Sequence, residues 1–133
     1  MLAVDYSNSA IEKCKSLSNH VYDENFKQLD LIKDDLNEKF KFIYSIAVLH
    51  MFVLDDHRDK FLSFINDHLD KDGIAVICIL GDGEKECSSN IEEAFEEVER
   101  EVSRNNLKIK KKWISKQVPE FNPAMCLIIS LSE

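Results

Sequence analysis

The sequence predicts an α/β protein whose sheet is mostly parallel. Patterns typical of strands and of helices alternate along the 133 residues, which is the order expected when helices connect parallel strands. The run Ile74–Leu80 (IAVICIL) is apolar without alternation, as in a strand that is covered on both faces. Only three glycines and two prolines are present, which argues against a turn-rich all-β fold. At this length we expect a single domain, residues 1–133.

The first elements follow from local patterns. Leu2–Val4 is a short apolar run that predicts a strand. The capping box Ser9-Ala10-Ile11-Glu12 predicts the start of a helix. Two more strands are predicted at Phe26–Leu29 and Phe40–Ser45, and the second has the stronger pattern.

A second helix is predicted in the middle of the chain, before the strand Ile74–Leu80. We expect Asp56 to cap it and Gly73 to stop it. Residues of one helix face recur between them with helical spacing: Phe61, Leu62, Ile65, His68 and Leu69.

The last third predicts one helix followed by two strands. The capping box Ser89-Asn90-Ile91-Glu92 opens an acidic helix with an apolar stripe. Strands are predicted at Leu107–Ser115 and Met125–Leu131, with Val118–Pro123 between them. Because no helix separates these strands, we expect an antiparallel pair at one side of the sheet. The basic segment Lys108–Trp113 is typical of an edge strand protected by lysines.

Charge and cysteine usage limit the partners and the compartment. The net charge is −8, which does not favour binding to nucleic acid or to anionic membranes. No segment approaches the ~20 apolar residues of a membrane span. No signal peptide is expected, because Asp5 interrupts the apolar segment at the start. The cysteines lack CxxC spacing, so reduced thiols in a cytoplasmic protein are expected. They are Cys14, Cys78, Cys87 and Cys126.

Polar residues follow the predicted strands, where α/β sheets bind ligands. Asp5 and Asp30 follow two strands, Ser45 is the last residue of a third, and Gly81-Asp82-Gly83 follows a fourth. The carboxylate of Asp5 can accept hydrogen bonds from both hydroxyls of a ribose. The adjacent Tyr6 offers an aromatic face for a base, and Asp30 can accept from an exocyclic amine. Alternatively, each aspartate only caps a turn, a role in which Asp is common.

Four stretches together resemble class I S-adenosylmethionine-dependent methyltransferases, over nearly the whole chain. AVDYSNSAIEKC resembles the second-strand motif of that family, and FKFIYSIAVLHMF with LSFINDHLDKDGIAVI resembles its fourth strand, the next helix and the fifth strand. FNPAMCLIISL is similar to the last strand. Within the family, the likeness is to small bacterial enzymes that include the tellurite-resistance type. The resemblance implies a Rossmann-like, mostly parallel sheet with an antiparallel C-terminal strand.

The resemblance also implies residues that bind S-adenosylmethionine. Asp5 matches the acid that holds the ribose hydroxyls, and Tyr6 matches the neighbour that packs on adenine. Asp30 matches the acid near the adenine amino group, and Leu31 the adjacent backbone contact.

Three further positions match the segment after the fourth strand of the family. Ser45 and Ile46 match the loop that passes the methionine part and the methyl group. His50 lies where the family often has a histidine. It can act as a general base or orient a substrate, but we favour a structural role, because many methyl transfers mainly require alignment.

The family's first strand and its glycine-rich loop, E/D-x-G-x-G-x-G, have no counterpart here. Gly81 and Gly83 follow the wrong strand. The missing strand is central in the family, so the sequence predicts a sheet without its first strand and weak cofactor binding. Three explanations are open: a truncated or misplaced start, a missing piece that is removed or disordered, or a fragment that rearranges or pairs with a second copy. Exposed sheet edges would favour a homodimer.

The expected function is methyl transfer from S-adenosylmethionine to a small-molecule acceptor, which the sequence does not identify. The alternative is a non-catalytic, truncated Rossmann-like module for interaction or oligomerisation. A third alternative, half of a nucleotide-dependent oxidoreductase, accounts less well for the VLH segment and the antiparallel closing strands.

Overall fold

The computed structural model describes residues 1–80, 91–115 and 124–133. Helices and strands alternate along it, which confirms the predicted α/β class. The chain divides into two compact units, Met1–Asp35 and Leu36–Glu133. Each unit has its own sheet. That residues 1–133 act as one domain stays a prediction.

The first unit contains a β-α-β arrangement. Strand β1 (Ala3–Asp5) is followed by helix α1 (Asn8–Leu17) and strand β2 (Phe26–Gln28), and the two strands pair in parallel. The apolar side chains of Ile11 and Leu29 are buried. Both predicted strands are therefore confirmed, and their carboxyl ends lie at the same edge.

Helix α1 begins two residues earlier than the predicted capping box. Ser7 is the N-cap, and its Oγ accepts a hydrogen bond from the backbone N–H of Ala10 at 3.3 Å. The prediction that Ser9 starts the helix through a capping box is therefore wrong. The reason is local: the carboxylate of Asp5 accepts from the backbone N–H of Ser7 at 2.7 Å, and this turn starts the helix directly after β1.

The second unit is a four-stranded sheet with two helices. The sheet order is β3-β4-β6-β5, in which β3 and β4 are parallel and β6 is antiparallel to both of its neighbours. Three strands thus run in one direction and β6 in the other, as predicted. The lysine-rich β5 lies at the edge, also as predicted. The elements are β3 (Phe40–Ile46), α2 (Asp55–His68), β4 (Leu69–Leu80), α3 (Ile91–Arg104), β5 (Leu107–Ser115) and β6 (Ala124–Leu131).

The ends of α2 differ from the prediction. The N-cap is Leu54, whose side chain makes no capping hydrogen bond, and Asp56 lies within the first turn. The prediction of Asp56 as a cap is therefore wrong, although an acidic residue in a first turn still favours the helix. At the other end, His68 is the last helical residue and β4 begins at once with Leu69.

Gly73 lies inside β4, so its predicted role as a helix stop is also wrong. The β3–β4 ladder shifts register between Phe40 and Phe42, which pair with Leu69 and Ile74. At this irregularity the backbones approach closely, and a Cβ on Gly73 would lie 3.0 Å from the carbonyl oxygen of Lys41. Glycine therefore serves close strand packing here.

The two faces of the four-stranded sheet differ in burial. On one, which we call the helix-covered face, Ala75, Ile77 and Ile79 of β4 are buried. Lys112 of β5 lies on this face by register and forms an ion pair with Glu99 of α3.

We call the opposite side the open face. Phe42, Tyr44 and Ile46 of β3 lie on it and are 57%, 58% and 46% exposed. The rings of Phe42 and Tyr44 stack with centroids 6.4 Å apart. The open face therefore presents apolar side chains to solvent.

Several predictions concern residues outside the described ranges. These are the Ser89-Asn90 start of the third helix, Gly81-Asp82-Gly83, Cys87 and the segment Val118–Pro123. Within the described ranges, the β1–β2 ladder and the four-stranded sheet share no hydrogen-bonded strand. None of the described helices has the length and apolar character to cross a membrane.

Candidate functional site

Two carboxylates lie at the carboxyl edge of the β1–β2 pair. Asp5 is the last residue of β1, and its carbonyl accepts from the backbone N–H of Leu29 at 2.9 Å. Asp30 follows Leu29 directly. The structure therefore brings together the two aspartates that the sequence singled out.

Each aspartate also makes a local hydrogen bond. Oδ1 of Asp5 accepts from the N–H of Ser7, and Oδ1 of Asp30 accepts from the N–H of Ile32 at 2.9 Å. These are the contacts expected if each aspartate only caps a turn, which is the alternative given by the sequence. Each uses one carboxylate oxygen, and an ionised carboxylate has a second oxygen with its own lone pairs. Capping a turn and binding a ligand are therefore compatible.

Tyr6 and Leu31 follow these aspartates. The side chain of Tyr6 is 73% exposed, while its carbonyl accepts from the side-chain amide of Gln28 at 3.1 Å. The backbone is thus held while the ring remains accessible to a planar partner. Leu31 is half-buried and lies in a turn closed by a hydrogen bond from the N–H of Lys33 to the carbonyl of Asp30.

Ser45 and Ile46 end β3 but face opposite sides of the sheet. Ser45 is in register with the buried Ile77, so its side chain lies on the helix-covered face. Its Oγ is buried and has no hydrogen-bond partner within the described residues. Ile46 is in register with Cys78 and lies on the open face. Ligand contacts on the open face would involve the side chain of Ile46 and only the backbone of Ser45.

The chain leaves β3 through a left-handed residue. Ala47 has φ 59°, and its N–H donates to the carbonyl of Cys78 at 2.8 Å. A residue with a Cβ is uncommon in this conformation, and such strain often occurs beside functional sites. The conformation turns the chain sharply at the carboxyl edge of the sheet.

His50 lies in the short 3₁₀ turn Leu49–Met51 that follows. Its Nδ1 is buried, and no partner for it is found in the described part of the chain. A buried polar atom without a hydrogen bond costs about 1–3 kcal/mol, so this nitrogen favours a water molecule or a ligand group. Both predicted roles of His50, structural and general base, remain predictions.

An ion pair that the sequence analysis missed holds this turn. Arg58 of α2 donates to both carboxylate oxygens of Glu101 in α3, at 2.7 and 2.8 Å. It also donates to the carbonyl of Leu49 at 3.2 Å. The hydrogen bond with Glu101 raises the pKa of Arg58 above its usual value. Because the partners are 43 residues apart, no local pattern could reveal them.

The predicted site residues thus form two groups, one in each unit. Asp5, Tyr6, Asp30 and Leu31 share the edge of the β1–β2 pair. Ser45, Ile46 and His50 lie at and just after the carboxyl end of β3. Their roles in binding a cofactor stay predictions.

Comparison with known proteins gives a structural likeness without a sequence match. No protein-family model matches the chain, and neither does any curated protein. Among solved structures, an S-adenosylmethionine-dependent methyltransferase from Clostridium acetobutylicum superposes with a TM-score of 0.75 at 15% identity, over 99% of this chain and 75% of that one.

Two other structures are similar. A TehB-like S-adenosylmethionine-dependent methyltransferase from Corynebacterium glutamicum has a TM-score of 0.71 at 21% identity, over 98% of this chain and 67% of that one. The glycopeptide N-methyltransferase MtfA, solved with S-adenosyl-L-homocysteine, has a TM-score of 0.76 at 11% identity, over 98% of this chain and 72% of that one. The chain therefore has the Rossmann-like fold of S-adenosylmethionine-dependent methyltransferases.

Proposed function

We propose that this chain provides the cofactor-binding fold of a cytoplasmic enzyme that transfers a methyl group from S-adenosylmethionine to a small molecule. The observation that carries the proposal is the pair of carboxylates, Asp5 and Asp30, at the carboxyl edge of two parallel strands. This edge is where α/β sheets bind ligands. The cytoplasmic location is supported by the free thiols of Cys14, Cys78 and Cys126.

The residues at this edge suit a nucleoside. The second carboxylate oxygen of Asp5 would accept from the ribose hydroxyls, and Asp30 from the amino group of adenine. The exposed ring of Tyr6 would stack on the base, beside the backbone of Leu31. The bound cofactor supplies a methyl group on a positively charged sulfur.

Within the second unit, the end of β3 and the turn after it are proposed to help align the reacting groups. The backbone of Ser45 and the side chain of Ile46 would border the methionine part of the cofactor. The hydrogen bond from Arg58 to Leu49 holds the turn that contains His50. Holding the acceptor in line with the sulfonium can supply most of the rate enhancement, so the proposal assigns no protein base.

We further propose that residues 1–133 alone bind the cofactor weakly. The sequence contains three glycines and no E/D-x-G-x-G-x-G loop. Gly73 packs between strands, and Gly81 and Gly83 come after β4. Without a glycine-rich loop to approach the cofactor, we expect a Kd of about 1 mM, equivalent to roughly −4 kcal/mol.

Titration with S-adenosylhomocysteine, followed by backbone amide NMR, tests both proposals. We expect saturable shifts at Asp5, Tyr6 and Asp30 with a Kd near 1 mM. Asp5→Asn keeps an oxygen for the N–H of Ser7 but loses the charge, so binding should weaken by about tenfold, a loss of ~1.4 kcal/mol. The matched control, Asp23→Asn, removes an exposed carboxylate of the same unit and should bind normally.

The outcomes are distinguishable. A micromolar Kd would contradict the weak binding and leave the methyltransferase proposal intact. Absence of shifts at Asp5 and Asp30 at several millimolar ligand would contradict the proposed cofactor site itself.

The open face supports a second candidate, a non-catalytic module that pairs with another copy of the chain. Phe42, Tyr44 and Ile46 present an exposed apolar stripe on an edge strand of the described sheet, and such edges can be extended by another chain. Light scattering would show a dimer that Tyr44→Lys converts to monomer. A monomer at protein concentrations on the order of 100 μM would count against it.

A further inference from the structure

Strands β4 and β6 place two cysteines opposite each other. Cys78 and Cys126 are direct partners in the antiparallel ladder. Their sulfur atoms are 3.4 Å apart, and both are free thiols. Directly paired antiparallel residues have Cα atoms about 4.5–5.5 Å apart, which lies inside the range of about 4.4–6.8 Å found in disulfides. A bond between them therefore needs little movement of the backbone.

We propose that Cys78 and Cys126 form a peroxide-reactive dithiol site that closes to an intramolecular disulfide. The proposal is independent of methyl transfer, since it rests on the geometry of β4 and β6. It assigns the site to a small, uncharged peroxide such as hydrogen peroxide.

The surroundings give the two thiols different roles. Cys126 is 5% exposed, and burial raises the pKa of its thiol to about 11. It therefore stays protonated at neutral pH and is slow to react with peroxide. Both cysteines lie on the open face by register, but Cys78 is half-buried and therefore the more exposed of the two. Cys78 is thus the thiol that peroxide reaches first.

The reaction balances without a further reactant. The Cys78 thiolate attacks one peroxide oxygen, the O–O bond breaks, and the products are a sulfenic acid and hydroxide, which takes up the thiol proton to become water. The sulfur of Cys126 then attacks the sulfur of Cys78, the S–O bond breaks, and a second water leaves with the Cys126 proton. Two thiols are oxidised by two electrons, and one hydrogen peroxide is reduced to two waters.

Closure of this bond acts at the carboxyl edge of β3. The carbonyl of Cys78 accepts from the N–H of the left-handed Ala47, so even a small adjustment of the Cys78 backbone changes the hydrogen bond of Ala47. The bond also links residues 48 positions apart. Disulfides that close long loops restrict the unfolded chain, so we expect the melting temperature to rise by at least ~5 °C.

The test uses the full chain with Cys14→Ser and Cys87→Ser, which leaves only the two cysteines of the site. Brief treatment with hydrogen peroxide should abolish both free thiols and lower the intact mass by two hydrogens. Peptide mapping should link the two strands within one chain, and dithiothreitol should restore both thiols. The amide NMR signal of Ala47 should shift on oxidation and return on reduction.

A matched variant separates the two roles. With Cys126→Ala added, Cys78 has no resolving thiol and should gain two oxygens as sulfinic acid. In the two-cysteine protein, sulfinic acid at Cys78 beside an intact Cys126 would overturn the proposal. Retention of both thiols, or cross-links only between chains, would overturn it equally. These outcomes are read from the two-cysteine protein, so they stand even if Cys126→Ala does not fold.

Discussion

The helix-covered face and the open face of the four-stranded sheet carry similar residues in different surroundings. Ile77, on the helix-covered face of β4, is 0% exposed, whereas Ile46, on the open face of β3, is 46% exposed. The apolar run Ile74–Leu80 predicted cover on both faces, and yet Ile74 on the open face is 36% exposed. An apolar sequence therefore shows that a sheet face can be buried, but it does not show which face is buried. In this sheet, α2 and α3 cover one face, and the apolar side chains on that face contribute most to the free energy of unfolding.

The largest expected effect compares these two isoleucines directly. Ile77→Ala should lower the free energy of unfolding by about 4 kcal/mol, because it leaves a cavity in a closed core. Ile46→Ala should cost less than about 1 kcal/mol, because its side chain already contacts water. Urea unfolding of both variants measures the difference. Equal losses would mean that the open face is packed as tightly as the other.

The second prediction concerns the ion pair beside the helix-covered face. Arg58→Met should destabilise the protein by about 3 kcal/mol, because it leaves the buried carboxylate of Glu101 without its partner. Adding Glu101→Leu removes that charge and should recover at least half of the loss. Denaturant unfolding of the single and double variants measures this. A double variant as unstable as the sum of its parts would contradict the explanation.

The smallest effect is a pH-dependent contact between α2 and α3. Hydrogen bonds from Arg104, at 2.7 Å, and Asn105 hold the pKa of Asp59 below its ordinary value of 3.8. The carboxylate thus adds stability above pH 3.8, and this is lost as the pH falls through the lower folded-state pKa.

Replacement by the neutral amide should reveal this contribution. Asp59 is partly exposed, so Asp59→Asn should cost only about 0.5 kcal/mol at pH 7. The difference from the parent protein should shrink below pH 3.8 and at high salt. A constant difference between pH 7 and pH 2, measured by urea unfolding, would contradict the assignment to the charge.

The fold was predictable where local pattern and packing agree. The strand Leu107–Ser115 has the bounds that the sequence predicts, and β3 extends one residue beyond its prediction. Errors arose where several residues could serve one role. Ser7 and Ser9 are both suitable caps, and the turn made by Asp5 selects Ser7. Glycine often ends a helix, but Gly73 lies within β4, because this segment pairs with β3.

The candidate site was predictable only at the level of sheet edges. Strand ends indicated where Asp5, Asp30 and Ser45 lie. Register with β4 was needed to show that the side chain of Ser45 faces the helix-covered side. The Arg58–Glu101 pair depends on helix packing, which a sequence pattern does not encode locally.

The position of β6 has a consequence for synthesis of the chain. This strand comes last along the sequence among the strands described, and yet it lies between β4 and β5 and is hydrogen-bonded to both. While a ribosome is still adding residues before Ala124, β4 and β5 have formed no ladder through β6. Synthesis proceeds at about 5–20 residues per second, so one edge of β4 remains unpaired for several seconds. Incorrect strand pairing of the nascent chain is favoured during that interval.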